Sequence, residues 1–331
     1  GRWDALRSIR TVFTIHNVEY QGKFGPETVE DLFGLDRGWY EDGTLQMDGC
    51  VNLMKGAMLC ADAVTTVSPT YARQLRQSAY AEGMESVVQR CGEKFTGIVN
   101  GIDTTVFDPA TDPELTAHFS AQRLRGKADC KKALQKELGL QVQSDVPLLS
   151  VVSRLVGHKG IDLICESLDV VMQTGCQLVV LGSGDGQYED FFRYAENRYK
   201  GRLCAYIGYN EALAHRIYAG SDLFLMPSRS EPCGLSQMIA MRYGTIPVVR
   251  ETGGLKDTVT PYNKFEGTGR GFTFSDINAH DMVWVLREAV DLYFNNKKAW
   301  RGIQKEDMTA DFSWNSSARQ YLEIYQRILG W

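Results

Sequence analysis

Short runs of aliphatic and β-branched residues recur along the chain, separated by longer stretches whose apolar positions fall three and four apart. The short runs are Thr11–Ile15, Ala63–Val67, Gly97–Val99, Leu148–Val152, Gln177–Leu181, Leu203–Ile207, Leu223–Met226 and Pro247–Val249. Each predicts a buried strand. Between them, Ile161, Ile164, Leu168 and Val171 predict a helix with one apolar face, and Leu213 and Ile217 repeat the pattern after Asn210-Glu211. At the end of the second run, Ser68-Pro69 reads as a hydroxyl N-cap followed by a proline preset for the first helical turn. Residues 315–331, with Tyr321, Ile324 and Ile328 on one face, predict a closing amphipathic helix. Strands alternating with helices in this way predict an α/β fold built on parallel sheets.

The texture changes between Asp108 and Lys136, where Pro109 and Pro113 are followed by the charged run Arg123–Lys132. A domain junction is expected there, giving residues 1–125 and 126–331. The 331-residue length suits two domains, since single hydrophobic cores stop growing at roughly 250–300 residues. Five strand runs follow the junction, enough for a Rossmann-like domain. Only three precede it, so the first domain is expected to be incomplete. The opening Gly1-Arg2-Trp3-Asp4, without methionine, reads as a chain entered midway.

Composition narrows the classes. At 44% hydrophobic and 23% charged the chain is neither disordered nor a disulfide scaffold. A net charge of −5 argues against a nucleic-acid partner. No apolar run reaches the ~18 residues of a membrane span, so no membrane partner is expected. The eight cysteines form no C-x-x-C pair, which leaves zinc and dithiol readings without support.

In parallel α/β sheets ligands bind beyond the carboxyl ends of the strands, so the residues following each run are the ones that matter. Gly182-Ser183-Gly184-Asp185-Gly186 suits either close approach of a phosphate or ribose to backbone N–H groups, or simply a tight turn into a helix. Arg154 and Lys159 place two cations around a glycine turn, a pairing suited to a diphosphate or to a solvated loop. His158 between them reads as exposed filler. Pro227 to Ser236 is the most specific stretch: Glu231 precedes Pro232-Cys233-Gly234, which opens an apolar helix whose first N–H groups favour an anion. Glu231 could equally be a helix N-terminal charge, and Cys233 a packed thiol. With no D-x-D triplet, no metal or other cofactor is expected. Without paired carboxylates at hydrolase spacing a glycosidase is disfavoured.

Read together, these segments carry a resemblance. Thr14-Ile15-His16-Asn17, Asn100-Gly101-Ile102-Asp103, Ser153-Arg154-Leu155 with Lys159-Gly160, Glu231-Pro232-Cys233-Gly234-Leu235, Arg242-Tyr243-Gly244-Thr245-Ile246-Pro247 and Thr252-Gly253-Gly254-Leu255 resemble, in order, the bacterial glycogen synthases and plant starch synthases. The resemblance implies a GT-B fold, two Rossmann-like domains facing a central cleft. It implies a retaining glucosyltransferase, cytoplasmic or plastid, that moves glucose from ADP-glucose to the non-reducing end of an α-1,4-glucan and releases ADP. Carried over by motif, Arg154 and Lys159 would neutralise the departing diphosphate, Glu231 would hold the glucose hydroxyls, and His16 would stand near the reacting sugar. Asn100 would face the donor glucose, Tyr209 would stack on adenine, and Ser236 would meet phosphate. Gly182, Gly184, Cys233, Gly234, Leu235, Thr252 and Gly253 would complete the donor site. The chain departs from the family at Val156 and His158, where Thr and Gln are usual, and at Ile239, where the wider class often has a second Glu. It also lacks a Lys-x-Gly-Gly-Leu loop. Two alternatives therefore stand beside the leading expectation: a nucleotide-binding chain without turnover, and a UDP-glucose-using enzyme.

Overall fold

A computed structural model describes residues 8–330; the Gly1–Asp4 opening lies outside them. By internal packing the chain forms two compact units, one running to Asn100 and resuming at Asn315, the other spanning Gly101–Trp314. The division thus falls ahead of the texture change near residue 125. The reason is that the proline-rich stretch is irregular but bonded into the second unit. Asp103, Asp108 and Asp112 each close a side-chain turn on a following N–H, Asp112 is buried, and the Phe119 ring packs edge-on against Tyr243. Charge and proline content marked a connection here, not a boundary.

The second unit is a six-stranded parallel sheet in the order Phe272–Phe274, Ile246–Arg250, Leu223–Met226, Leu148–Val152, Gln177–Gly182, Leu203–Ile207. Its strands are apolar on both faces because helices cover both, as parallel sheets require. Ile161, Ile164, Leu168 and Val171 are all buried on the helix Ile161–Gln173. Asn210 caps the helix Glu211–Gly220 by accepting from Leu213 N at 2.9 Å. The sixth strand escaped the pattern because Phe272–Phe274 is only three residues long.

The first unit holds a three-stranded parallel sheet, Val12–Ile15, Ala63–Thr66 and Phe95–Gly97, with Ala63–Thr66 in the middle. The third strand lies two residues earlier than its apolar run. Ser68 caps its helix as expected, accepting from Tyr71 N at 2.8 Å. A small antiparallel sheet of Lys23–Phe24, Gln46–Met47 and Cys50–Asn52 has strands too short to show periodicity. The closing helix Trp314–Leu329 forms, but it belongs to the first unit: Ile324 is buried with Ala63 and Ile98, Tyr321 and Ile328 pack alongside, and Ser317 donates to Val99 O at 2.6 Å. Among the described residues no helix is long and apolar enough to cross a membrane.

Candidate active site

Three loops at the carboxyl edge of the six-stranded sheet carry most of the residues singled out in the sequence. The first follows Leu148–Val152 and turns through Gly157–Lys159. Arg154 is exposed there, and its guanidinium lies 3.2 Å from His158 Nε2, so His158 orients the cation where filler was expected. The second follows Leu223–Met226 and carries Glu231, whose side chain is buried. Lys159 Nζ donates to Glu231 Oε2 at 2.7 Å, and Ser228 Oγ donates to the same oxygen at 2.9 Å. Residues 72 positions apart therefore meet as an ion pair at the mouth of two adjacent strands.

The third loop, Thr252-Gly253-Gly254, holds the Glu231 loop in place. Gly254 N donates to Glu231 O at 3.1 Å, and a Cβ on Gly253 would lie 2.0 Å from that same carbonyl. Thr252 and Gly253 thus stand behind the Glu231 backbone, and only glycine permits so close an approach. Gly182 and Gly184 have a comparable role: their absent Cβ atoms would fall 1.9 Å from Ser153 O and 2.3 Å from Leu155 O. The glycine loop is packed against the Arg154 loop, with Leu155 N bonded to Ser183 O at 2.9 Å and Asp185 N to Leu155 O at 2.8 Å.

Cys233 is a buried thiol and Gly234 sits at φ +70°, with Gln237 Nε2 bonded to Gly234 O at 3.0 Å. Leu235 is exposed, and Ser236 opens the helix Ser236–Arg242. A cavity of about 340 Å³ lies beside this cluster and is lined by Arg154, Gly182, Tyr209, Phe107, His215 and Tyr218 among others. Its size falls in the range of small-molecule sites. Tyr209 is 85% exposed, its hydroxyl 3.3 Å from Glu211. His16 and Asn100 stand in the first unit, His16 exposed just after Val12–Ile15 and Asn100 half-buried after Phe95–Gly97.

Two further arginines support the site, Arg250, which the sequence did not single out, and Arg229, which lies in the stretch Pro227–Ser236 without a role of its own there. Arg250, 5% exposed at the end of its strand, donates to Ser228 O, Arg229 O and Ser275 O and so fixes the loop that carries Glu231. Arg229 pairs with Asp162, and its N–H donates to His158 O at 2.9 Å, tying that loop to the Lys159 turn. The role of each cation is set by its three-dimensional neighbours. Among the described residues no three His, Cys, Asp or Glu side chains gather so as to hold a metal ion.

Comparison with known proteins adds independent findings. Residues 2–90 match the family described as starch synthase catalytic domain, and residues 136–305 match glycosyl transferases group 1. The chain is 50% identical over 325 residues to a glycogen synthase of Streptococcus equi subsp. zooepidemicus and 48% identical over 325 residues to one of Streptococcus mutans. Each alignment covers 98% of this chain and 68% of the relative. The solved catalytic domain of starch synthase IV from Arabidopsis thaliana, bound to ADP and acarbose, superposes with a TM-score of 0.91 at 40% identity, over 97% of this chain and 67% of that one.

Proposed function

The chain belongs to the family of glycogen and starch synthases, and from that premise we propose that the carboxyl edge of its six-stranded sheet binds ADP-glucose for transfer to an α-1,4-glucan. Membership makes it a glucosyltransferase acting on a nucleotide sugar and a glucan. The observation that carries the site reading is the Arg154, Lys159 and Glu231 cluster opening beside a cavity that contains Tyr209.

As the bond between glucose C1 and the diphosphate oxygen breaks, negative charge grows on the leaving phosphate. Arg154 and Lys159 meet that charge with N–H donors already in place. Glu231 accepts from the donor's glucose hydroxyls, while the turn at Cys233, Gly234 and Leu235 offers backbone N–H groups and Ser236 its hydroxyl. The new C1–O bond forms on the face the diphosphate leaves, and the departing phosphate takes the acceptor hydroxyl's proton. This route retains configuration without a covalent nucleophile. Tyr209 stacks on adenine. His16 and Asn100 carry the family's sugar-contact motifs. No metal takes part in this scheme.

The reading is tested by giving the purified chain ADP-glucose and glycogen. ADP release with growth of the glucan supports it; ADP binding without release reduces the chain to a nucleotide binder. In the same assay Tyr209→Ala is expected to weaken ADP-glucose binding about tenfold. Competition that favours UDP-glucose over ADP-glucose would overturn the choice of donor.

A further inference from the structure

The cavity that takes in Arg154 and Tyr209 also takes in a histidine with no part in the scheme above. His215 lies on the helix Glu211–Gly220, 6% exposed, and its ring stacks on Phe107 with centroids 4.9 Å apart and planes 27° apart. Its Nδ1 lies 2.7 Å from Asp112 Oδ2, and Asp112 is 1% exposed. The Tyr243 hydroxyl donates to that same carboxylate oxygen. Burial and the neighbouring carboxylate push the Tyr243 phenol far above its ordinary value, so it stays a fixed O–H donor.

This arrangement places one hydrogen of the imidazole. An ionised carboxylate only accepts, so Nδ1 must carry the proton it donates to Asp112. In the neutral ring the other nitrogen, Nε2, is then a bare acceptor, and Phe107 keeps the ring from turning to offer anything else. Such an acceptor in a mostly apolar cavity seeks a donor from the ligand, because a polar atom buried without a partner is costly. Among nucleobases adenine presents an exocyclic amine, whereas uracil and hypoxanthine present an oxo group at the comparable edge and would set lone pair against lone pair.

We propose that His215 reads the nucleobase of the donor, its Nε2 accepting from the exocyclic amine of adenine, with Asp112 and Tyr243 as positioning residues that hold the accepting tautomer. The inference rests on the reading of this cavity as the nucleotide site, and it supplies the residue that selects an amino base over an oxo base. Sites built to pair a polar group discriminate strongly against a ligand that lacks it.

ADP and inosine diphosphate differ at the base in the exchange of the 6-amine for an oxo group and in the proton that N1 then carries, so their binding to the full chain, measured by calorimetry, tests the point. The wild type is expected to bind ADP at least about tenfold more tightly. In His215→Leu the ratio is expected to fall to within about twofold, through loss of ADP affinity and not of inosine diphosphate affinity. Asp112→Asn, which no longer dictates the tautomer, should lower the ratio as well; a general loosening of the fold would weaken both ligands alike. Should these variants fail to fold, nitrogen NMR of the wild type still decides: the His215 Nε2 resonance should move on adding ADP and less on adding inosine diphosphate. A wild-type ratio near one, a ratio that survives His215→Leu, or an unmoved Nε2 resonance overturns the inference and leaves the nucleotide site standing. Failure of both nucleotides to bind overturns the site reading and this inference together.

Discussion

Two lysine–carboxylate pairs flank the strand Leu223–Met226, Asp222 at its entry and Glu231 beyond its exit, and each pair closes at 2.7 Å. Lys131, on the helix Arg125–Glu137, bonds not only to Asp222 but also to Val146 O at 2.5 Å, Tyr293 Oη at 3.2 Å and Ser144 O at 3.4 Å. Asp222 in turn accepts from Leu148 N at 2.8 Å. Every donor of that ammonium is spent on protein. Lys159, by contrast, meets Glu231 alone among the described residues, and the bonds to Glu231 converge on one of its two oxygens. An ammonium has three donors and a carboxylate about four acceptor positions, so this pair keeps capacity in reserve. The distance and the ammonium–carboxylate chemistry are the same at both ends. Saturation separates the pair that holds the fold from the pair that can take a ligand.

The contrast breaks most visibly if the two pairs are removed one residue at a time. Lys159→Ala or Glu231→Ala is expected to cut turnover about 100- to 1000-fold, in the range of a lost preorganised transition-state contact, with little change in the thermal midpoint. Lys131→Met or Asp222→Asn is expected to cost about 3–5 kcal/mol of stability, because either leaves a buried charge or several carbonyls unpaired. Steady-state kinetics and denaturant unfolding of the four variants check both halves. Equal destabilisation by Lys159→Ala and Lys131→Met would end the distinction.

A smaller effect is expected at Arg250, whose guanidinium holds the carbonyls of Ser228 and Arg229 without touching the cavity lining. Arg250→Lys keeps a charge but loses the fork that reaches several carbonyls at once. It should lower kcat about tenfold while KM for the donor changes less, since misplacing Glu231 harms the reacting geometry more than ground-state binding. A change confined to KM would argue that the loop is held by other contacts.

The candidate edge was readable in advance because parallel sheets put binding loops after strands: the apolar runs Leu148–Val152 and Leu223–Met226 led directly to the loops of Arg154, Lys159 and Glu231. Their pairing was not readable, since it depends on which strands lie side by side. The glycines at 182, 184 and 253 were visible, but their work, admitting a neighbouring carbonyl, needs the neighbour. His215 was hidden for the same reason, as its partner Asp112 sits 103 positions away in a stretch that reads as a linker. The unit boundary was hidden by that stretch too: irregular backbone held by side-chain turns has no period to betray it.

The comparison sharpens finally at a carboxylate that has no lysine at all. Asp307, on the helix Lys297–Thr309, is fully buried, and neither of its oxygens has a hydrogen-bond partner. Burial pushes its carboxyl well above the ordinary value, and Glu306 adds to the rise against the pull of Arg270. The folded protein therefore holds a proton that the unfolded chain releases once pH passes the ordinary carboxylate range. Where the unfolded state binds fewer protons, stability falls as pH rises. The contribution of this group is complete at acid pH, declines through the window between the ordinary and the raised value, and is gone above it. Asp307→Asn removes that titration while keeping the shape. Relative to the wild type, the variant should gain about 1 kcal/mol or more on going from about pH 5 to about pH 8, read from urea unfolding at both. Parallel pH profiles for the two proteins would mean that Asp307 is charged and paired in solution, and a buried acid could then not be ranked by the partners it shows.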